Sequence, residues 1–289
     1  MSERLKRNKK TFWSAFKFLL SVLYGAVSAL VIFFPLDEMG IPMDSWWTKI
    51  LGFVLPGVVA LIGGVIWVYL YPKVTKYEDA QRSLVLRYGD IWRYAFSKRD
   101  KKRIVVVNVN TAFDTLVDDP SVSSPLVEKR SVHGQWITEL GNRGITVEEI
   151  DKAIEDSIFS QGLSPTYISC KARGKNKEYP LGTVAACSFL NTTFYLVALS
   201  SFDINNNAHL SKSDYIGVID SLVDYIGRYS QGYDVYLPVM GAGLSRTDID
   251  DQTALEIMKS HFMLNKEKLH NQINIIVYNK NRDKVSLEG

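Results

Sequence analysis

The sequence predicts an α/β fold: an N-terminal hairpin of two transmembrane helices, then a three-layer α/β/α domain with a mainly parallel, mixed sheet. Three observations predict it. Residues 104–107 and 236–240 are apolar without alternation, as in strands covered on both faces. Between such runs lie stretches with apolar residues at every third or fourth position, the mark of amphipathic helices. Strands that alternate with helices build parallel sheets. Ahead of this pattern, residues 18–36 and 50–72 carry no charge, runs of about 19 and about 23 residues against the roughly 20 that span a bilayer as helix.

Composition limits the rest. A chain of 289 residues with 46% hydrophobic content is long enough for one sizeable domain plus an anchor. A net charge of +3 is too small for a nucleic-acid binder. Cys170 and Cys187 have neither disulfide-framework nor zinc spacing.

In chain order, Arg4, Lys6, Arg7, Lys9 and Lys10 precede the first apolar run, Lys73 and Lys76 follow the second, and Asp37, Glu38 and Asp44 lie between with only Lys49 as a basic residue. By the positive-inside rule both ends face the cytoplasm, which predicts a multi-pass membrane protein with spans near 12–36 and 46–72. Ala60 and Gly64 have the spacing that lets helices approach closely, and Pro56 is a candidate kink. The soluble domain is expected over 78–289. Its strands are expected at 83–87, 104–107, 183–188, 193–200, 236–240 and 273–278. Helices are expected at 147–161, where Thr146 and Glu149 have capping-box spacing, at 211–229 and at 249–262.

The candidate site lies where three strands end, the edge at which open α/β sheets bind ligands. After the strand at 236–240, the turn of Met240, Gly241, Ala242, Gly243, Leu244 and Ser245 leaves backbone N–H groups open to a phosphate ahead of a helix start. A plain strand-to-helix turn has the same look. Asp90, after Gly89 and before Ile91, is either a helix N-cap or a carboxylate that accepts from a ligand, or both. Asn108, Asn110 and Thr111 follow the second strand. Ser131, His133, Gly134 and Gln135 precede a short apolar helix and offer a hydroxyl, an imidazole and an amide, or else only caps; Trp136 and both cysteines read as core. Asp248, Asp250 and Asp251 suit a first helical turn better than catalysis.

Gly89-Asp90-Ile91, the run Val105-Val106-Val107-Asn108 and residues 238–245 together resemble the macro domain, the ADP-ribose-binding α/β module. With two spans in front and the segment Ser131-Val-His-Gly-Gln-Trp136, the chain resembles more particularly the membrane-anchored macro-domain effectors of bacterial Thoeris anti-phage defence. That resemblance implies a nucleotide second messenger derived from ADP-ribose, made from NAD by a TIR-domain partner enzyme. Two spans fused closely to a ligand-binding module predict a homo-oligomer acting on the lipid bilayer to stop growth of the infected cell, and no cofactor, metal or catalytic residue is expected. Hydrolytic macro domains carry a second Asn three residues after the Val-Asn asparagine; here that position is Thr111, so sensing is expected rather than turnover. A membrane-tethered ADP-ribosyl hydrolase and an interaction protein without a nucleotide ligand are the alternatives.

Overall fold

A computed structural model describes residues 3–33, 45–71, 73–98, 101–118, 125–168, 173–202, 208–241 and 249–288. Contacts divide the chain into two units, Met1–Pro72 with Arg282–Gly289, and Lys73–Asn281.

The first unit is built on two 25-residue helices long and apolar enough to cross a membrane, α2 (Lys9–Phe33) and α3 (Trp46–Leu70), after a single turn of helix, α1 (Glu3–Arg7). Helix α2 begins ahead of the charge-free run and takes in Lys17. The two helices pack as an antiparallel pair. A Cβ on Gly63 would stand 2.6 Å from Leu19 Cδ1 and one on Gly64 3.2 Å from the Phe12 ring, so the small face around Ala60 is used within the pair. Tyr24 Oη donates to Phe53 O at 2.7 Å. Arg4 donates to the carbonyls of Val68 and Tyr69, at 3.3 and 2.9 Å, satisfying the last turn of α3. Helix α3 runs unbroken through Pro56.

The second unit is an eight-stranded mixed sheet. Its strands are β1 (Lys73–Glu78), β2 (Ser83–Gly89), β3 (Arg103–Asn110), β4 (Val184–Phe189), β5 (Thr192–Phe202), β6 (Ala208–His209), β7 (Asp234–Pro238) and β8 (Gln272–Tyr278). The order is β1-β2-β8-β7-β3-β5-β6, with β4 also on the outer edge of β5. The five central strands are mutually parallel; β1, β4 and β6 run antiparallel. Strand β7 ends at Pro238, two residues before the sequence-based boundary, so Met240 already belongs to the turn.

Helices α4 (Ile91–Ala95), α5 (Val132–Gly141), α6 (Val147–Ser160), α7 (Lys212–Tyr229) and α8 (Asp251–Leu264) cover the sheet. Thr146 and Glu149 close a reciprocal capping box at the start of α6. Its Ile150, Ile154 and Ile158 are buried in the core that Trp136, Phe194 and Val107 share. Each such side chain contributes about 1.5–3 kcal/mol on leaving water.

Candidate functional site at the carboxyl edge of the sheet

Because β2, β8, β7 and β3 are parallel neighbours, their carboxyl ends lie along one edge. That edge brings together the turns after Gly89, Asn110 and Pro238.

At the first turn, Asp90 has extended backbone and caps α4, its Oδ1 accepting from Trp92 N at 3.0 Å. No partner is recorded for Oδ2 among the described residues. One carboxylate can therefore cap the helix and still accept from a ligand. Ile91 turns its side chain into the core, so only its backbone faces the edge. Trp92 Nε1 donates to Gln135 Oε1 at 2.8 Å, tying α5 to the turn that carries Asp90.

Gln135 also donates to Arg130 O at 2.7 Å, so both ends of its amide are engaged in structure. The segment 131–136 is a helix start rather than a loop: Ser131 is the N-cap of α5 and accepts from Gly134 N at 3.0 Å. The helix places His133 inside, 6% exposed, with no partner for Nε2 among the described residues. Burial, reinforced by the Lys175 charge, pushes its pKa from 6.5 down to about 3. Neutral His133 therefore contributes stability that is fully present above pH 6.5 and is lost as pH falls from there toward 3. Between pH 7 and 5 the loss is about 2 kcal/mol. Denaturant unfolding of the full chain in detergent should show this drop, and His133→Phe should flatten it.

At the second turn, Asn110 is 4% exposed and spent internally: its Oδ1 accepts from Asp114 N at 3.0 Å, and its Nδ2 donates to Asp114 Oδ2 at 3.1 Å. Thr111 is buried, its Oγ1 donating to Glu178 Oε1 at 3.2 Å. Asn108 stays in β3, opposite Val197 and half-buried. The surrounding polar network was not visible in the sequence. Lys175 N donates to Asp114 Oδ1 at 2.6 Å, while Lys175 Nζ donates to Phe113 O at 2.7 Å and Asp151 Oδ1 at 2.6 Å. Asp151 Oδ1 also accepts from Thr115 at 2.7 Å. These partners lie 24 to 62 residues apart, so no local spacing announces them.

At the third turn, Met240 is buried and Gly241 takes φ +86°, a left-handed conformation suited to glycine. Its Cα faces the Tyr215 ring, whose hydroxyl donates to Met240 O at 3.0 Å. Ala242, Gly243, Leu244, Ser245 and Asp248 lie outside the described residues. Asp250 caps α8 through Thr253 N at 2.8 Å and Asp251 opens it, so both act as helix-start residues. Cys187 is a buried core thiol, pushed up to about 12 by burial; Cys170 lies outside the described residues.

A cavity of about 530 Å³ lies at the opposite edge, among Lys102, Tyr195, Tyr225, Tyr229 and Tyr233. Its tyrosines pack on one another, with ring centroids 5.0 and 4.7 Å apart, and it sits at strand starts. The carboxyl edge is the better candidate, because it gathers the glycine turn, the half-engaged carboxylate and the starts of helices.

Residues 84–278 match the family described as Thoeris protein ThsA, macro domain. The chain belongs to that ThsA macro-domain family. A relative, Thoeris protein ThsA of Bacillus amyloliquefaciens (strain Y2), is 27% identical over 207 residues, covering 70% of this chain. The chain spans 64% of that relative's length. Among solved structures, the Oceanobacillus iheyensis macrodomain with ADP matches at TM-score 0.46 and 12% identity, over 73% of this chain and 90% of that one. The same macrodomain with MES bound matches at 0.44 and 13%, over 73% and 90%. In this ThsA macro domain the family match thus includes β2, β3, β7 and β8, the strands whose ends form the candidate site.

Proposed function

We propose that this ThsA-family chain is a membrane-anchored sensor of anti-phage defence. Its macro domain binds an ADP-ribose-type nucleotide at the carboxyl edge, a signal made from NAD by a TIR-domain partner. Occupancy then favours association of the apolar hairpins and disruption of the bacterial cell membrane, halting the infected cell. The observation that carries this reading is the union, in one chain, of two membrane-length helices with a macro-domain edge bearing Asp90 and the left-handed Gly241 turn.

In this account Asp90 Oδ2 accepts from the adenine amino group, which selects the base. The diphosphate lies over the turn that begins at Gly241, and Asn108 reaches toward the distal ribose. The internal pairing of Asn110 with Asp114, and the bond from Thr111 to Glu178, favour sensing over hydrolysis, since both side chains are already held by structural partners. The assembled form must bind the nucleotide more tightly than the resting form, because a ligand shifts an equilibrium only by its differential affinity.

Calorimetry of the full chain in detergent with ADP-ribose tests the site. Loss of a charge-assisted hydrogen bond costs about 1.5–3 kcal/mol, so Asp90→Ala should weaken binding by roughly 10- to 150-fold. Asp90→Asn keeps a cap acceptor but presents a donor to the base, and should weaken it by about tenfold. Wild-type affinity in both variants would remove adenine recognition from this residue. Multiple turnover of an ADP-ribosylated substrate by wild-type protein would favour the hydrolase instead.

A further inference from the structure

Residues 282–288, which follow the sheet domain, pack into the first unit beside the start of α2. Val285 and Leu287 are fully buried there. Arg7 Nη1 donates to Lys284 O at 2.7 Å, and Ser286 Oγ donates to Arg7 O at 2.9 Å with Asn8 Oδ1 at 3.3 Å. The Glu288 carboxylate accepts from Lys10 N at 2.9 Å and from Thr11 N. Lys10 and Thr11 are the second and third residues of α2, whose N–H groups have no carbonyl partner within the helix. A carboxylate from nearly 280 residues away thus caps the first membrane-length helix and meets the positive end of its dipole.

The residue before this segment, Asn281, closes the turn that follows β8 in the sheet domain. Within the sheet domain, the last residue of β8, Tyr278, pairs in register with Gly89, next to Asp90. One short turn, Asn279–Asn281, follows. There Asn281 Nδ2 donates at 2.9 Å to Asp251 Oδ2, at the first turn of the helix that follows β7. Asn281 is therefore held by the helix start on the Gly241 side, three residues after the β8 position that pairs with Gly89, and one peptide bond later the clasp begins.

We propose that residues 282–288 are an autoinhibitory latch: they hold the start of α2 in the resting hairpin, and nucleotide occupancy releases them through Asn281. The proposal rests on the sensor reading above. A rearrangement of either turn moves the anchor of the latch, and a cap supplied by a distant segment is lost when that segment is drawn away. Water then takes over the Lys10 and Thr11 amides, and the hairpin is freed to associate.

The test uses the full chain in dye-loaded vesicles of phosphatidylethanolamine and phosphatidylglycerol. Glu288→Gln combined with Ser286→Ala should leak without nucleotide on the order of tenfold faster than wild type, the size of effect expected from one lost cap, while binding ADP-ribose at least as tightly as wild type, because the released form is the one the nucleotide favours. Paired cysteines, Asn8→Cys with Ser286→Cys, should hold the latch shut when oxidised. That protein should bind ADP-ribose yet stay tight, and leak on reduction. A double variant as tight as wild type without nucleotide, or an oxidised staple that leaks with ADP-ribose as freely as its reduced form, overturns the latch. A wild type that stays tight with ADP-ribose overturns the sensor reading instead, and the nucleotide-free leak of the double variant still decides the latch.

Discussion

Gly241→Ala is expected to abolish measurable ADP-ribose binding and to cost about 4 kcal/mol of stability. At φ +86° a side chain sits in the left-handed region, which costs roughly 1–2 kcal/mol. The added Cβ would also lie 2.6 Å from Tyr215 Cε2 and 3.0 Å from Cδ2. Tyr215 has no room to yield, being fully buried with its hydroxyl bonded to Met240 O and Ala254 O. Overpacking of that kind adds about 1–3 kcal/mol. The turn would have to reshape, moving the N–H groups assigned to the diphosphate. Denaturant unfolding and calorimetry on the same protein check both effects; a variant with native stability and affinity would show that the turn is not held by Tyr215.

Gly134→Ala should destabilise the domain by about 3 kcal/mol or more, although alanine is the better helix former. A Cβ at this position would stand 2.2 Å from Glu128 O and 2.8 Å from Lys129 Cα, and both are backbone atoms. The first turn of α5 must back away, and with it the Gln135 contact to Trp92 behind Asp90. Thermal unfolding should show the loss, accompanied by weaker ADP-ribose binding. A neutral Gly134→Ala would mean that the approach of α5 to residues 128–129 is not required.

The same residue explains where the sequence misleads. Ser131, His133 and Gly134 look like a polar loop because glycine is a poor helix residue, yet glycine is needed there for close backbone approach, and the segment is helical. The central parallel strands were legible because burial on both faces leaves continuous apolar runs, as in β3 and β8. Strand β1 was not: Lys73, Thr75 and Glu78 are exposed, and only Val74, Lys76 and Tyr77 are even half-buried, so an edge strand reads as a polar linker. The Asp90 cap was legible from its place before an apolar turn. The bonds of Lys175 to Asp114 and Asp151 and the packing of Val285, Ser286 and Leu287 were not, because their partners are distant in sequence and a few residues carry no periodicity.

The nucleotide is expected where β2, β3 and β7 end. Hydrogen–deuterium exchange of the full chain in vesicles, with and without ADP-ribose, tests it most directly. Protection should concentrate at residues 89–92, 108–114 and 239–241, with the amides of Lys10 and Thr11 exchanging faster as the latch lets go. Unchanged exchange at those turns, with protection appearing instead around Tyr225, Tyr229 and Tyr233 at the opposite edge, would contradict it.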